Sequence, residues 1–194
     1  MFDKITGYIR ERIAISNEEL SSSLTYLEPK TFAKGEHMLK IGQYCRFIGF
    51  LNEGLIVTTI VDSAGVEKAS GFIYPGCFFT YTEGLNSNIP SHKNILALED
   101  CEVLMMRKTD LTVIFKENPK FEGLLNLMLA EEIKKLMLND QAVKTTSLDE
   151  RYLNLENQYP NAFQKIPQKY LADYLGIEAP SLSRLRKRLT KSRN

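Results

Sequence analysis

Cysteine and histidine are scarce in this chain of 194 residues, with three of the first and two of the second. Cys45, Cys77 and Cys101 are scattered and odd in number, which fits a reducing compartment better than a disulfide framework. Three thiols also exclude a four-thiolate cluster within one chain. His37 and His92 stand alone, so no His-x-x-x-His spacing offers a metal site. No apolar run approaches the ~18 residues that would suggest a membrane span. The opening Met1-Phe2-Asp3-Lys4 lacks a basic stretch followed by an apolar one, so no secretory signal is expected. A Walker loop, a Rossmann glycine pattern and a nucleophile–His–carboxylate set are missing too. The expectation is a cytoplasmic protein without catalysis, cofactor, metal or membrane partner.

What is present is ordinary in amount and uneven in placement. Hydrophobic residues make up 43% and charged residues 25%, enough for a real core and against a disordered chain. The net charge of +1 hides an asymmetry. Residues 165–194 hold eight basic groups and two acidic ones, a surplus of +6, which leaves −5 on residues 1–164. A basic tail on an acidic body is either a solvated helix face or a nucleic-acid contact, and the pattern inside the tail decides.

Ser16-Asn17-Glu18-Glu19 reads as a capping box that opens a short helix carrying Leu20, Leu24 and Leu27 and stops near Glu28-Pro29. A helix from Phe2 to about Ile13 precedes it, with Ile5, Ile9 and Ile13 spaced four apart. Between Thr31 and Met106 the chain turns β-rich. Phe47–Leu51, Leu55–Val61, Lys68–Ile73, Ile95–Leu98 and Val103–Met106 are the expected strands, cut by glycine turns at Gly35, Gly42, Gly54, Gly65 and Gly76. Residues 83–93 read as a polar loop. Asn118-Pro119 starts a helix of ~25 residues, ~38 Å long, that runs to about Val143. Its stripe of Leu125, Leu129, Ile133 and Leu136 is widened by further leucines and methionines. So apolar a helix is either a long core helix or a subunit interface; a domain this small offers little to cover both faces, which favours the interface. The polar stretch Asp140–Ser147 is the expected hinge. Helices follow at Leu148 to about Tyr159, about Pro167–Leu175 and about Pro180–Leu189.

Residues 168–188 (QKYLADYLGIEAPSLSRLRKR) fit a helix-turn-helix. Ala172 is the small residue that lets the second helix approach, and Gly176 suits a left-handed turn four residues later. Leu171, Leu175, Ile177, Leu182 and Leu185 occupy the core-facing slots. At 100° per residue, Pro180, Ser181, Lys187 and Arg188 lie within about 60° of Arg184, while Leu182, Leu185 and Leu189 lie opposite. A solvated face normally mixes signs, yet no carboxylate follows Glu178. Such a face suits the major groove, with Arg184 able to pair bidentately with guanine and Lys187, Arg188 and Lys191 placed for phosphates.

At this point the chain resembles the Crp/Fnr superfamily of transcription regulators. Residues 32–39 with Gly42, then residues 50–54, look like the start of a cyclic-nucleotide-binding-type β-roll, and residues 97–103 like its closing strands. The helix from Pro119 looks like the family's dimerisation helix. Residues 150–153, Tyr159-Pro160 and the helix-turn-helix ending Leu182-Ser183-Arg184-Leu185-Arg186 resemble the branch common in Bacteroidetes. The implied fold is α+β. An N-terminal β-roll of jelly-roll (double-stranded β-helix) type with flanking helices spans residues 1–117. A dimerisation helix spans 118–143 with Leu125, Leu129, Ile133 and Leu136 at the interface. An all-α helix-turn-helix domain spans 148–194 and lacks a full wing, since only five residues follow Leu189. The implied partners are double-stranded DNA, a second copy of the chain, RNA polymerase and an unidentified small-molecule effector. Lys169, Ala179, Pro180, Ser181, Ser183, Arg184, Lys187 and Arg188 are the candidate DNA contacts.

The resemblance breaks at the ligand pocket. Family members that bind cyclic AMP carry Gly-Glu-Leu for the ribose, and the stretch matched to it here is Gly76-Cys77-Phe78. They carry a phosphate-binding arginine where Ser91 stands, with His92 and Lys93 beside it. Losing a charge-assisted pair and a hydroxyl clamp, each worth ~1.5–3 kcal/mol, disfavours cyclic AMP. The pocket, formed by Gly76, Cys77, Phe78, Ser91, His92 and Lys93, is then expected to take a different ligand or none. An alternative function is a sensor module whose C-terminal helices dock a protein rather than DNA.

Overall fold

A computed structural model of the chain describes residues 1–158 and 160–193. It divides into two compact units, residues 1–58 with 72–131 and residues 59–71 with 132–194. The dividing point falls inside the long helix rather than at either end of it.

The first unit opens with α1 (Asp3–Arg12) and α2 (Asn17–Leu24). The capping box is formed at α2: the Ser16 amide donates to Glu19 Oε2 at 2.8 Å, and the Glu19 amide donates to Ser16 Oγ at 3.2 Å. Strands β1 (Glu28–Phe32), β2 (His37–Leu39), β3 (Phe47–Glu53), β4 (Ile56–Val61), β5 (Glu67–Ile73) and β6 (Phe78–Phe79) follow. Then come α3 (Glu83–Asn86), β7 (Lys93–Ala97), β8 (Cys101–Arg107), α4 (Asp110–Glu117) and α5 (Lys120–Thr145). The strands make two four-stranded sheets, in the orders β1-β8-β3-β6 and β2-β7-β4-β5.

Strand periodicity builds two cores from one sheet. Along β8, Cys101, Val103 and Met105 face the roll interior with Leu39, Leu51, Ile95 and Phe79. Leu104 faces the other way, and with Phe50 of β3 it packs against Ile5, Ile9, Leu20 and Leu124 from the helices. Both faces are buried over Ile48–Leu51 of β3 and Val103–Met105 of β8, which is why these stretches read as apolar runs. Gly54 closes the turn after β3 at φ 101°, where a Cβ would lie 2.6 Å from the Asp100 carbonyl oxygen, so no other residue fits.

The loop expected over residues 83–93 contains the α3 turn and ends in β7. The expected hinge at Asp140–Ser147 is mostly helix, because α5 continues through Thr145. Asn118 does cap it: the Lys120 amide donates to Asn118 Oδ1 at 3.1 Å.

The second unit continues with α6 (Leu148–Gln158), α7 (Pro160–Phe163), α8 (Gln168–Leu175) and α9 (Ala179–Arg193). Its core is Tyr152, Leu155, Phe163, Ile166, Leu171, Ala172, Leu175, Leu182 and Leu185, all buried. No described helix is long and apolar enough to cross a membrane.

Candidate functional site

The C-terminal helices hold the candidate nucleic-acid surface. Ser147 opens α6 with a second capping box, donating its amide to Glu150 Oε2 at 2.8 Å and accepting from the Glu150 amide at 3.3 Å. The Ser147 amide, with the Ser147 hydroxyl, holds the Glu150 carboxyl below its ordinary range. The α8–α9 turn is set by Gly176, at φ 71° and ψ 32°. Its amide donates to Asp173 O at 3.0 Å, and the Ile177 amide donates to Ala172 O at 2.9 Å. This pairing satisfies the last carbonyls of α8 and needs a left-handed residue at that point. Ala172 is 3% exposed beneath α9, as a close helix crossing requires.

Along α9, Ala179, Pro180, Ser183, Arg184, Lys187 and Arg188 are exposed, and Lys169 on α8 is exposed as well. Ser181 is half-buried and accepts from Arg184 Nη2 at 3.2 Å. That bond lies along the helix surface and leaves the rest of the guanidinium to solvent. Arg188 is engaged: its Nε donates to Asp149 Oδ2 at 3.2 Å, and its Nη2 to Asp149 Oδ1. Arg186 turns inward. Its Nε donates to the Tyr152 hydroxyl at 3.1 Å, and its guanidinium carbon lies 6.0 Å and 5.9 Å from the Tyr152 and Phe163 rings. Lys187 and Lys191 have no side-chain partner among the described residues.

In the same unit, Lys68 of β5 donates to Asp173 Oδ1 of α8 at 3.2 Å. The Asp173 side chain is 9% exposed. Burial, followed by the nearby Glu67 and Asp173 carboxylates, pushes the Tyr170 phenol above its ordinary range.

The roll places the expected ligand residues in two groups. Ser91 is 2% exposed and its hydroxyl is used within its own loop, donating to Lys93 O at 2.7 Å and accepting from the Lys93 amide at 3.1 Å. His92 Nδ1 lies 2.8 Å from the Tyr81 hydroxyl, and its Nε2 lies 3.8 Å from Glu83 Oε1. Lys93 Nζ donates to the same Glu83 oxygen at 3.3 Å. Partial burial raises the Glu83 carboxyl pKa, but its own backbone amide and Lys93 outweigh this and hold it below the ordinary range.

Gly76 and Cys77 are instead tied to β3, through Gly76 N to Leu51 O at 2.7 Å and Leu51 N to Cys77 O at 3.0 Å. Phe78 faces the helices, its ring centroid 5.2 Å from Tyr8 and 4.9 Å from Phe50. Tyr81 and Glu83 therefore meet His92 and Lys93, while Ser91 bonds to the backbone of Gly42 and Gln43, and none of these four stands out in the sequence as a ligand residue.

On α5, Leu125 and Leu129 are half-buried, and Leu125 lines an apolar cavity with Ile5 and Ile9. Ile133 is exposed, as are Leu127, Met137 and Leu138. The Leu136 side chain lies outside the described residues.

Residues 29–118 match the family model of the cyclic nucleotide-binding domain. No curated protein matches the chain in sequence. Among solved structures, FixK2 from Bradyrhizobium japonicum superposes with a TM-score of 0.73 at 16% identity, over 86% of this chain and 85% of that one. A Crp/Fnr-family transcriptional regulator from Eubacterium rectale gives 0.71 at 15%, over 92% and 85%. The c-di-GMP-responsive global regulator CLP from Xanthomonas campestris gives 0.70 at 12%, over 91% and 93%. Residues 29–118 thus match the cyclic nucleotide-binding domain, and the chain shares the fold of these solved regulators.

Proposed function

We propose that the chain is a homodimeric, sequence-specific DNA-binding regulator of transcription that acts in the cytoplasm without catalysis and responds to a small effector other than cyclic AMP. The observation that carries this reading is the exposed face of α9, where Arg184, Lys187 and Lys191 stand with no carboxylate from their own helix. In the major groove, Arg184 near the start of α9 reaches base edges, and Lys187 and Lys191 reach phosphates. Lys169 on the preceding helix adds a backbone contact. The proposed dimer forms through α5. The support is its large exposed apolar residues, Leu127, Ile133, Met137 and Leu138. RNA polymerase is the proposed protein partner on bound DNA.

The reading against cyclic AMP rests on the roll. The Ser91 hydroxyl is already bonded within its loop, and the Lys93 ammonium and His92 Nε2 face Glu83. Among these side chains a phosphodiester finds no set of free donors.

Fluorescence anisotropy of a labelled duplex across a salt series tests the proposal. Affinity should fall steeply with salt and be indifferent to added cyclic AMP. The slope of log K against log salt should drop by ~0.9 for each phosphate contact removed, up to twice that for Lys187→Ala in a dimer. An unchanged slope takes this face off the DNA backbone and leaves docking to a protein as the use of these helices.

A further inference from the structure

Strand register brings together one more set of side chains, at an end of the roll away from Ser91. On β8, Val103 and Met105 face the interior, so Arg107, two residues on, faces the same way. Residues directly opposite across a ladder share a face. Glu28 pairs with Met105, Lys30 with Val103 and Phe47 with Arg107, so all three join that face. Here the interior is not filled. A groove of about 570 Å³ remains, with Met38, Phe47 and Met105 on its walls and Lys30, Arg46, Arg107 and Glu28 at its rim. That volume falls among small-molecule sites, which span roughly 300–1,000 Å³. Among the described residues, none between 76 and 93 lines it.

The rim charges do not cancel. Arg107 Nη2 donates to Glu28 Oε1 at 2.8 Å, so this pair is neutral. Lys30 and Arg46 have no side-chain partner among the described residues. The groove thus joins an apolar wall, packed on the roll core, to two unmatched cations. Met38 and Met105 are flexible and polarisable, and adapt to an alkyl or aryl guest.

We infer that this groove binds an amphipathic monocarboxylate, its apolar body against Met38, Phe47 and Met105 and its head on Arg46 and Lys30. The planar guanidinium offers a carboxylate two parallel donors, and the lysine adds a point charge beside it. Binding here is independent of whether α9 contacts DNA, so its test needs no DNA.

The test is calorimetric titration of the full chain with decanoate, decanol and acetate. Decanoate should bind, decanol at least tenfold more weakly, and acetate not at all. Arg46→Gln should weaken decanoate about tenfold or more and Lys30→Gln several-fold. Both residues are exposed, so neither change disturbs the core. The separate apolar cavity beside Ile5, Ile9 and Phe121 has no lysine or arginine among its described lining residues. Decanoate uptake there would ignore Arg46→Gln and would equal that of decanol. Either result overturns the assignment, as does no binding of decanoate.

Discussion

Arg186 and Arg188 show that a basic helix commits part of its charge to its own domain. Arg186 lies over Tyr152 and Phe163, where it acts as a packing residue with a polar tip. Arg188 is held by both oxygens of Asp149, which sits 39 residues earlier. An exposed pair of this kind contributes ~0–1 kcal/mol of stability, so its larger effect is on the charge that α9 presents to solvent. Asp149→Asn should free Arg188 and remove a carboxylate. Affinity for random duplex at low salt should rise several-fold, and the salt slope should steepen by ~0.9 per protomer. Anisotropy with a random duplex measures this, and unchanged affinity and slope would mean that Arg188 already leaves Asp149 for a phosphate. The helical wheel groups Arg188 with Arg184 from sequence alone. It is blind to Asp149, because no local pattern links residues so far apart. Tyr81 was hidden for the same reason: its partner His92 comes from the far side of an irregular loop.

At the scale of elements, what could be read is what has a local cause. The Ser16–Glu19 box is stated by four consecutive residues, and Gly176 by the dihedral its turn demands. The elements that escaped sequence reading lack such a signal. In β1, four of five residues are exposed and one is Pro29, so neither alternation nor propensity marks it. β2 and β6 are three and two residues long, too short to show a period. In α4 only Ile114 is buried.

The Ser16 amide, then Lys120, holds the Glu19 carboxyl below its ordinary range. A carboxyl lowered on folding stabilises the protein above its unfolded pKa, and this is lost as pH falls through the folded pKa. Glu19→Gln should therefore lower the denaturation midpoint at neutral pH and converge with the parent in acid. An equal offset at both would locate the effect in packing.

For α5, Ile133 and Met137 are 58% and 68% exposed, so Ile133→Asp with Met137→Asp should leave each unit folded and give monomers in sedimentation. A folded dimer would put the interface elsewhere.

Across the whole molecule, the charge asymmetry maps onto different tasks. The acidic remainder of the chain includes the roll, whereas the basic surplus gathers in α8 and α9. A dimer would present two copies of α9 and double every contact, which converts a weak single helix into a specific reader. The α8–α9 pair and its turn were legible from sequence because helical phase and the alanine–glycine spacing agree over residues 168–188. The measurement that tests the proposed DNA reading most directly is selection of bound sequences from random duplex DNA by the full chain. The account predicts an enriched inverted repeat with half-sites about one helical turn apart, roughly 10 base pairs, or a multiple of that. It also predicts that Arg184→Ala loses preference at one base per half-site, a loss of ~1–3 kcal/mol in discrimination. No enrichment over the input pool, or an enriched site without two-fold symmetry, would contradict it.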